Sequence, residues 1–108
     1  MTVVELSDKN IFNIVNLADA KQEITSIFCC DLLSVAMGKA PADSAWVTVM
    51  SNINTLAVAA LADVSVVILA QGTIPDDTVR DKAAQQGVNI FCSELPIFEA
   101  ALKVKELL

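Results

Sequence analysis

The sequence predicts a small α/β fold, a three-layer α/β/α sandwich around a mainly parallel sheet. Two apolar runs, Ala45-Trp46-Val47-Thr48-Val49-Met50 and Val64 to Ala70, are rich in β-branched residues and end in polar breaks, as strands buried on both faces do. Between them Leu56 to Leu61 is Ala-rich and almost wholly apolar, which makes a βαβ unit with a right-handed crossover. Helix, strand and helix patterns follow, so the order from Ala45 is βαβαβα.

Within the first thirty residues, Thr2 to Lys9 fits either a short helix or a strand. Asn10 to Leu17, with Ile11, Phe12, Ile14 and Val15 at its centre, reads as a strand. Ala18 to Gln22 is a polar loop, and Glu23 to Phe28 is a further short strand. A short helix begins at Asp31, whose carboxylate is placed to act as N-cap, and Gly38 is placed to end it in the left-handed conformation. Pro41 marks Lys39 to Ser44 as a loop. In the central unit Ser51-Asn52-Ile53-Asn54 is the polar break before the helix, and Gln71-Gly72 closes the second strand. Asp76 to about Gln86 is a helix with acids in its first turn and Gly87 after its end. Val79, Ala83 and Ala84 alone give it an apolar face, so it lies on the surface. Val88 to Cys92 is a strand, and Pro96 suits the first turn of a last helix. In that helix Ile97, Ala101, Val104 and Leu108 form a stripe that Phe98 and Leu102 widen.

At 108 residues the chain is expected to be one domain, spanning 1–108. Seven basic residues against thirteen acidic ones give a net charge of −6. The cations (Lys9, Lys21, Lys39, Arg80, Lys82, Lys103 and Lys105) are mostly isolated and flanked by acids, which argues against nucleic acid as a partner. The longest apolar stretch is interrupted by Asp63 and Ser65, too short to span a bilayer. With no basic, apolar leader at its start, the chain is expected in the cytoplasm. Three cysteines, Cys29, Cys30 and Cys92, are an odd count and suit reduced thiols. Three is also fewer than the four thiolates usual at zinc or iron–sulfur sites, so no metal is assigned. Histidine is absent, which removes the commonest general base and the Ser-His and Cys-His nucleophile pairs.

The candidate site lies at the carboxyl ends of the strands, where open α/β sheets bind ligands. Ser51, Asn52 and Asn54 open the central helix, where free N–H groups and the helix dipole favour an anion; capping by Asn54 or Ser51 explains the same residue types. Gln71 and Gly72 follow the next strand, and Gly72 allows close backbone approach, whether to a ligand or within a turn before Pro75. Asp31 and Ser34 face a ligand or belong to the first turn of their helix. In a parallel sheet these loops gather with Ser93-Glu94 at one edge.

The run Cys30-Asp31-Leu32-Leu33-Ser34-Val35-Ala36-Met37-Gly38 and the pattern Trp46-x-Thr48-x-Met50-x-Asn52-x-Asn54, with Ala57-Val58-Ala59 after it, resemble the DRTGG domain family. The strand Val66 to Ala70, the Pro75-Asp76 turn and the helix start Leu95-Pro96-Ile97-Phe98-Glu99 fit as well. That family is similar to the amino-terminal domain of HPr kinase/phosphorylase and, more distantly, to the first domain of Mur ligases. The resemblance implies a regulatory or dimerising domain, found alone or fused to CBS pairs, pyrophosphatases and acetyltransferases. Stand-alone members look associated with iron hydrogenases and electron-transfer proteins. The naming motif falls at about Lys21 to Ile27, where only Thr25 matches and the glycines are missing.

Two functional readings follow. One is a non-catalytic regulatory domain that forms a homodimer and senses a small anionic ligand or nucleotide. The other is a structural or interaction protein of a redox complex. A phosphotransferase needs a phosphate-cradling loop, and glycines at 38, 72 and 87 cannot form one, so no catalytic residue and no cofactor are assigned. The apolar central helix needs cover on its outer side, from the other helices or from a second subunit.

Overall fold

The computed structural model describes residues 1–108. Its elements are α1 (Val3–Asp8), β1 (Asn13–Asn16), β2 (Ser26–Cys29), α2 (Leu33–Lys39), β3 (Ser44–Thr48), α3 (Ile53–Leu61), β4 (Val66–Leu69), α4 (Asp77–Gln86), β5 (Ile90–Cys92) and α5 (Ile97–Leu107). One five-stranded sheet runs β1-β5-β4-β3-β2, parallel except for the antiparallel β1–β5 pair.

The parallel strands advance one neighbour at a time. Right-handed crossovers moving in one direction place their helices on one face. Accordingly α2, α3 and α4 share an apolar layer with Trp46, Val67, Leu69 and Ile90. Residues one step out of phase, Ala45, Val47, Val66, Ile68 and Phe91, face α1 and α5. The sandwich is therefore three-layered, as the sequence predicts. β3, β4 and β5 are buried at every position, while the edge strands β1 and β2 are not. No helix is long and apolar enough to cross a membrane.

At the amino terminus helix wins over strand. Thr2 and Glu5 form a reciprocal capping box on α1, and the Thr2 hydrogen bonds hold the Glu5 carboxyl below its usual range. The strand expected from Asn10 is shorter: Asn10 has a φ of 58°, Phe12 is a core residue ahead of the strand, and pairing begins at Asn13. Buried Asn89 ties this region down. Its Oδ1 accepts from Ala18 N at 2.7 Å and Asp19 N at 2.9 Å, and its Nδ2 donates to the carbonyls of Asp19 and Ser65, both at 2.9 Å.

Three assignments are corrected. Gly38 does not terminate α2 in the left-handed region; the helix continues through Lys39 and Ala40 is its C-cap. The cap of α3 is Asn52, not Asn54 or Ser51, because its Oδ1 reaches Asn54 N at 2.9 Å and Thr55 N at 3.1 Å. The inner stripe of α5 is also rotated. Ala100 and Val104 are buried, whereas Phe98 is 70% and Leu102 42% exposed. The α4 boundaries are as expected, with Asp76 as N-cap and Gly87 left-handed at its end.

Candidate functional site

Every parallel strand ends at the same edge, so the β2–α2, β3–α3, β4–α4 and β5–α5 loops converge there. Adjacent strands are about 4.8 Å apart, which separates the β2 and β4 loops by roughly 10 Å. The predicted residues accordingly fall into two groups: Asp31, Ser34, Ser51, Asn52 and Asn54 after β2 and β3, and Gln71 and Gly72 after β4.

Asp31 organises the first group, though not as a helix cap: α2 begins after Leu32, with no side-chain cap. Its Oδ1 accepts from Thr48 Oγ1 at 2.7 Å and from Val49 N at 3.0 Å. Thr48 is fully buried at the end of β3, and its hydroxyl accepts in turn from Met50 N at 3.2 Å. The carboxylate thus joins the loops after β2 and β3, while the residue itself stays exposed. Trp46 is a packing residue: it is fully buried, and its indole N–H donates to the Cys30 carbonyl at 3.0 Å. Ser34, Asn52 and Asn54 are exposed and Ser51 is half-buried. Asn52 already occupies two of the α3 amides that an anion would use.

The second group is a stitched pair of loops. Gln71 and Gly72 have φ of 64° and 73°, and Thr73 N donates to the Ala70 carbonyl at 3.1 Å, closing a turn of two left-handed residues. Such a φ is uncommon for glutamine, which has neither glycine's freedom nor the short amide of asparagine. Gln71 N reaches the Leu95 carbonyl and Gly72 N the Ser93 carbonyl, both at 2.9 Å. A Cβ on Gly72 would lie 2.8 Å from Glu94 Oε2. The close approach that Gly72 permits is therefore made, in this structure, by the Glu94 side chain.

Arg80 is the residue that sequence reasoning missed. It lies one turn into α4, with Nε 3.3 Å from the Pro75 carbonyl. The ion pair found in the molecule joins the Met1 amino group to Glu23 at 3.3 Å, so the Arg80 guanidinium has no carboxylate partner. It is near enough to Cys92, at the end of β5, to oppose the rise in thiol pKa that burial causes. The available signal was its position, four residues after the N-cap of a helix that starts at the carboxyl edge.

Two cavities lie outside these loops. One of about 480 Å³ separates β2 from α5, and one of about 180 Å³ lies among Gln22, Asp63 and Gln86. Neither is lined by a predicted site residue. Cys29 is exposed on β2, Cys30 is half-buried and Cys92 buried; burial, then the Asp31 charge, raises the Cys29 thiol pKa.

No protein-family model matches the chain, and no curated protein matches it. Among solved structures it is similar to the CBS and DRTGG domains of the regulatory region of Clostridium perfringens pyrophosphatase, a structure in complex with the activator diadenosine tetraphosphate. The TM-score is 0.67 at 12% identity, over 94% of this chain and 44% of that one. The fold is DRTGG-like. The chain spans less than half of that regulatory region, and at this identity the likeness is one of fold.

Proposed function

We propose that residues 1–108 are a single DRTGG-like regulatory domain, non-catalytic and homodimeric, that senses a small anionic ligand or nucleotide at the carboxyl edge of its sheet. The observation that carries the reading is the divergence of two neighbouring loops. The β4 loop leads to α4 on one face and the β5 loop to α5 on the other, the arrangement that opens a ligand crevice in α/β sheets. Arg80, in the first turn of α4, supplies a cation without a carboxylate partner on the α4 side of that divergence.

The electrostatics favour a nucleotide over a bare anion. Asp31 and Glu94 repel a simple phosphate but accept hydrogen bonds from ribose hydroxyls or a base amino group, while Arg80 takes the phosphate. Ser34, Ser51, Asn52 and Asn54 line the far half of the same edge. That a structural neighbour is a regulatory region holding a dinucleotide activator supports this chemistry. The redox-complex reading rests on the sequence resemblance alone.

A thermal-shift panel tests the proposal, comparing adenosine mono- and triphosphate, diadenosine tetraphosphate and inorganic phosphate. At about 100 times its Kd a ligand stabilises by about 2.7 kcal/mol, which raises the Tm of a domain this size by roughly 10 °C or more. Arg80→Ala should weaken that binding by about 10-fold or more. No stabilisation by any nucleotide refutes the proposal.

A further inference from the structure

β2 lies on the side of the molecule away from the diverging β4 and β5 loops. β2 is an outer strand whose second edge pairs with no other strand. Residues 1–3 reach only as far as Gln22 to Ile24 there: Val3 N donates to the Gln22 carbonyl and Ile24 N to that of Met1. From Thr25 to Cys30 the edge has no charge and no proline. Open edges are normally blunted by charges, prolines or bulges. The opposite edge strand has such a device, a register shift between Ile14 and Asn16. β2 has none, and its four pairs with β3 run in unbroken register.

Beside this edge, α5 turns apolar residues outward over the cavity of about 480 Å³, with Ile27 and Cys29 on the strand side and Phe98, Ala101 and Leu102 on the helix side. Lys105 closes the cavity and has no carboxylate partner. The face is also dipolar. α5 starts at the carboxyl edge of the sheet and so runs counter to β2. Phe98 therefore lies toward Cys29 and Asp31, and Lys105 lies toward Thr25.

We infer that this face is the contact between two copies of the chain, with the two β2 edges pairing antiparallel about a twofold axis and the two α5 helices packing across it. The inference rests on the reading of the chain as a homodimer and names its surface. A twofold axis across a face with a cation at one end and a carboxylate at the other brings Lys105 of each copy toward the Asp31 end of the other. The face is thus complementary to itself, as an isologous interface requires. Pairing extends the five-stranded sheet to ten strands and removes the open edge. The central helix is left out of the contact. α2 and α4 pack beside it, although Leu61 remains 79% exposed.

Sedimentation velocity of the full chain, from about 1 to 100 μM, tests this in the Kd range of ordinary homodimers. The wild type should sediment as a dimer at the upper end. Phe98→Glu, at a position already 70% exposed, should raise the dimer Kd by about 30-fold or more with an unchanged far-UV spectrum. Lys105→Glu should raise it by about 10-fold. If Phe98→Glu fails to fold, amide exchange on the wild type decides, since Ser26 to Cys29 should gain protection with concentration. A wild type that stays monomeric at every concentration refutes the homodimer itself. A dimer that persists unchanged in Phe98→Glu, or that leaves the β2 amides unprotected, refutes this surface while the homodimer stands. Monomers whose β2 amides gain protection only with an added extended peptide assign the edge to another partner and overturn the inference.

Discussion

Replacing Asp31 separates two accounts of one residue. As the cap of α2 it would act only on its own helix. In the structure it instead joins β2 to β3, through Thr48 Oγ1 at 2.7 Å and Val49 N at 3.0 Å. Hydrogen bonds to a charged group are each worth about 1.5–3 kcal/mol, less where the acceptor is exposed, as Asp31 is. Asp31→Ala also leaves the buried Thr48 hydroxyl without an acceptor. A loss of about 2–3 kcal/mol follows, or a fall in Tm of roughly 10–20 °C. Urea unfolding followed by the fluorescence of Trp46, the one tryptophan and fully buried, measures it directly. A capping residue would also cost about 1 kcal/mol when removed, so the decisive experiment is the double-mutant cycle with Thr48→Val. A coupling of about 1 kcal/mol or more is expected. Additive effects of Asp31→Ala and Thr48→Val would refute the bridge and restore the cap.

Three further outcomes follow from the same structure. Gly38 lies inside α2 outside the left-handed region, and a Cβ there meets nothing within 4 Å, so Gly38→Ala should stabilise by about 0.5–1 kcal/mol in chemical denaturation. Gly87 has equal space but a φ of 70°, so Gly87→Ala should destabilise by about 1 kcal/mol; like signs for the two would contradict the backbone assignment. Asn89→Ala removes the four hydrogen bonds of a buried side chain and should cost about 3 kcal/mol or more in urea, against less than about 0.5 kcal/mol for an exposed control such as Gln85→Ala. Burial raises the Cys29 and Cys92 thiol pKa values above the ordinary thiol range in the folded state. Their contribution to stability is complete below the unfolded thiol pKa and is lost as pH rises through the folded values. Stability should therefore decline above about pH 9, and Cys92→Ser should flatten that part of the profile.

The central fold was legible because its strands are buried on both faces and must be continuously apolar. Ala45 to Thr48 and Val66 to Leu69 can be little else, and Asp76 with Gly87 brackets α4 by chemistry that needs no tertiary context. The edges were less legible for the converse reason. β1 and β2 are only half-covered, so their composition is mixed, and the strand expected at Glu23 to Phe28 is delimited as Ser26–Cys29 by the strand it pairs with rather than by its own pattern. The α5 stripe was misread because Phe98 and Leu102 are large and apolar yet point past the sheet, toward the open β2 edge. Helical spacing reports which residues share a face and not whether that face is covered. At the site, the convergence of Gln71 and Gly72 with Ser93 and Glu94 followed from parallel topology alone. The bond between Asp31 and Thr48, seventeen residues apart, did not, because an aspartate before a helix carries the local signal of a cap.

A nucleotide-type ligand at the carboxyl edge can be located by amide chemical-shift mapping during titration with diadenosine tetraphosphate. Saturable shifts are expected in Gln71 to Arg80 and in Ser93 to Leu95, with smaller ones at Asp31 and Asn52, and their loss in Arg80→Ala. Shifts absent at saturating ligand, or confined to the cavity between β2 and α5, would contradict the proposal.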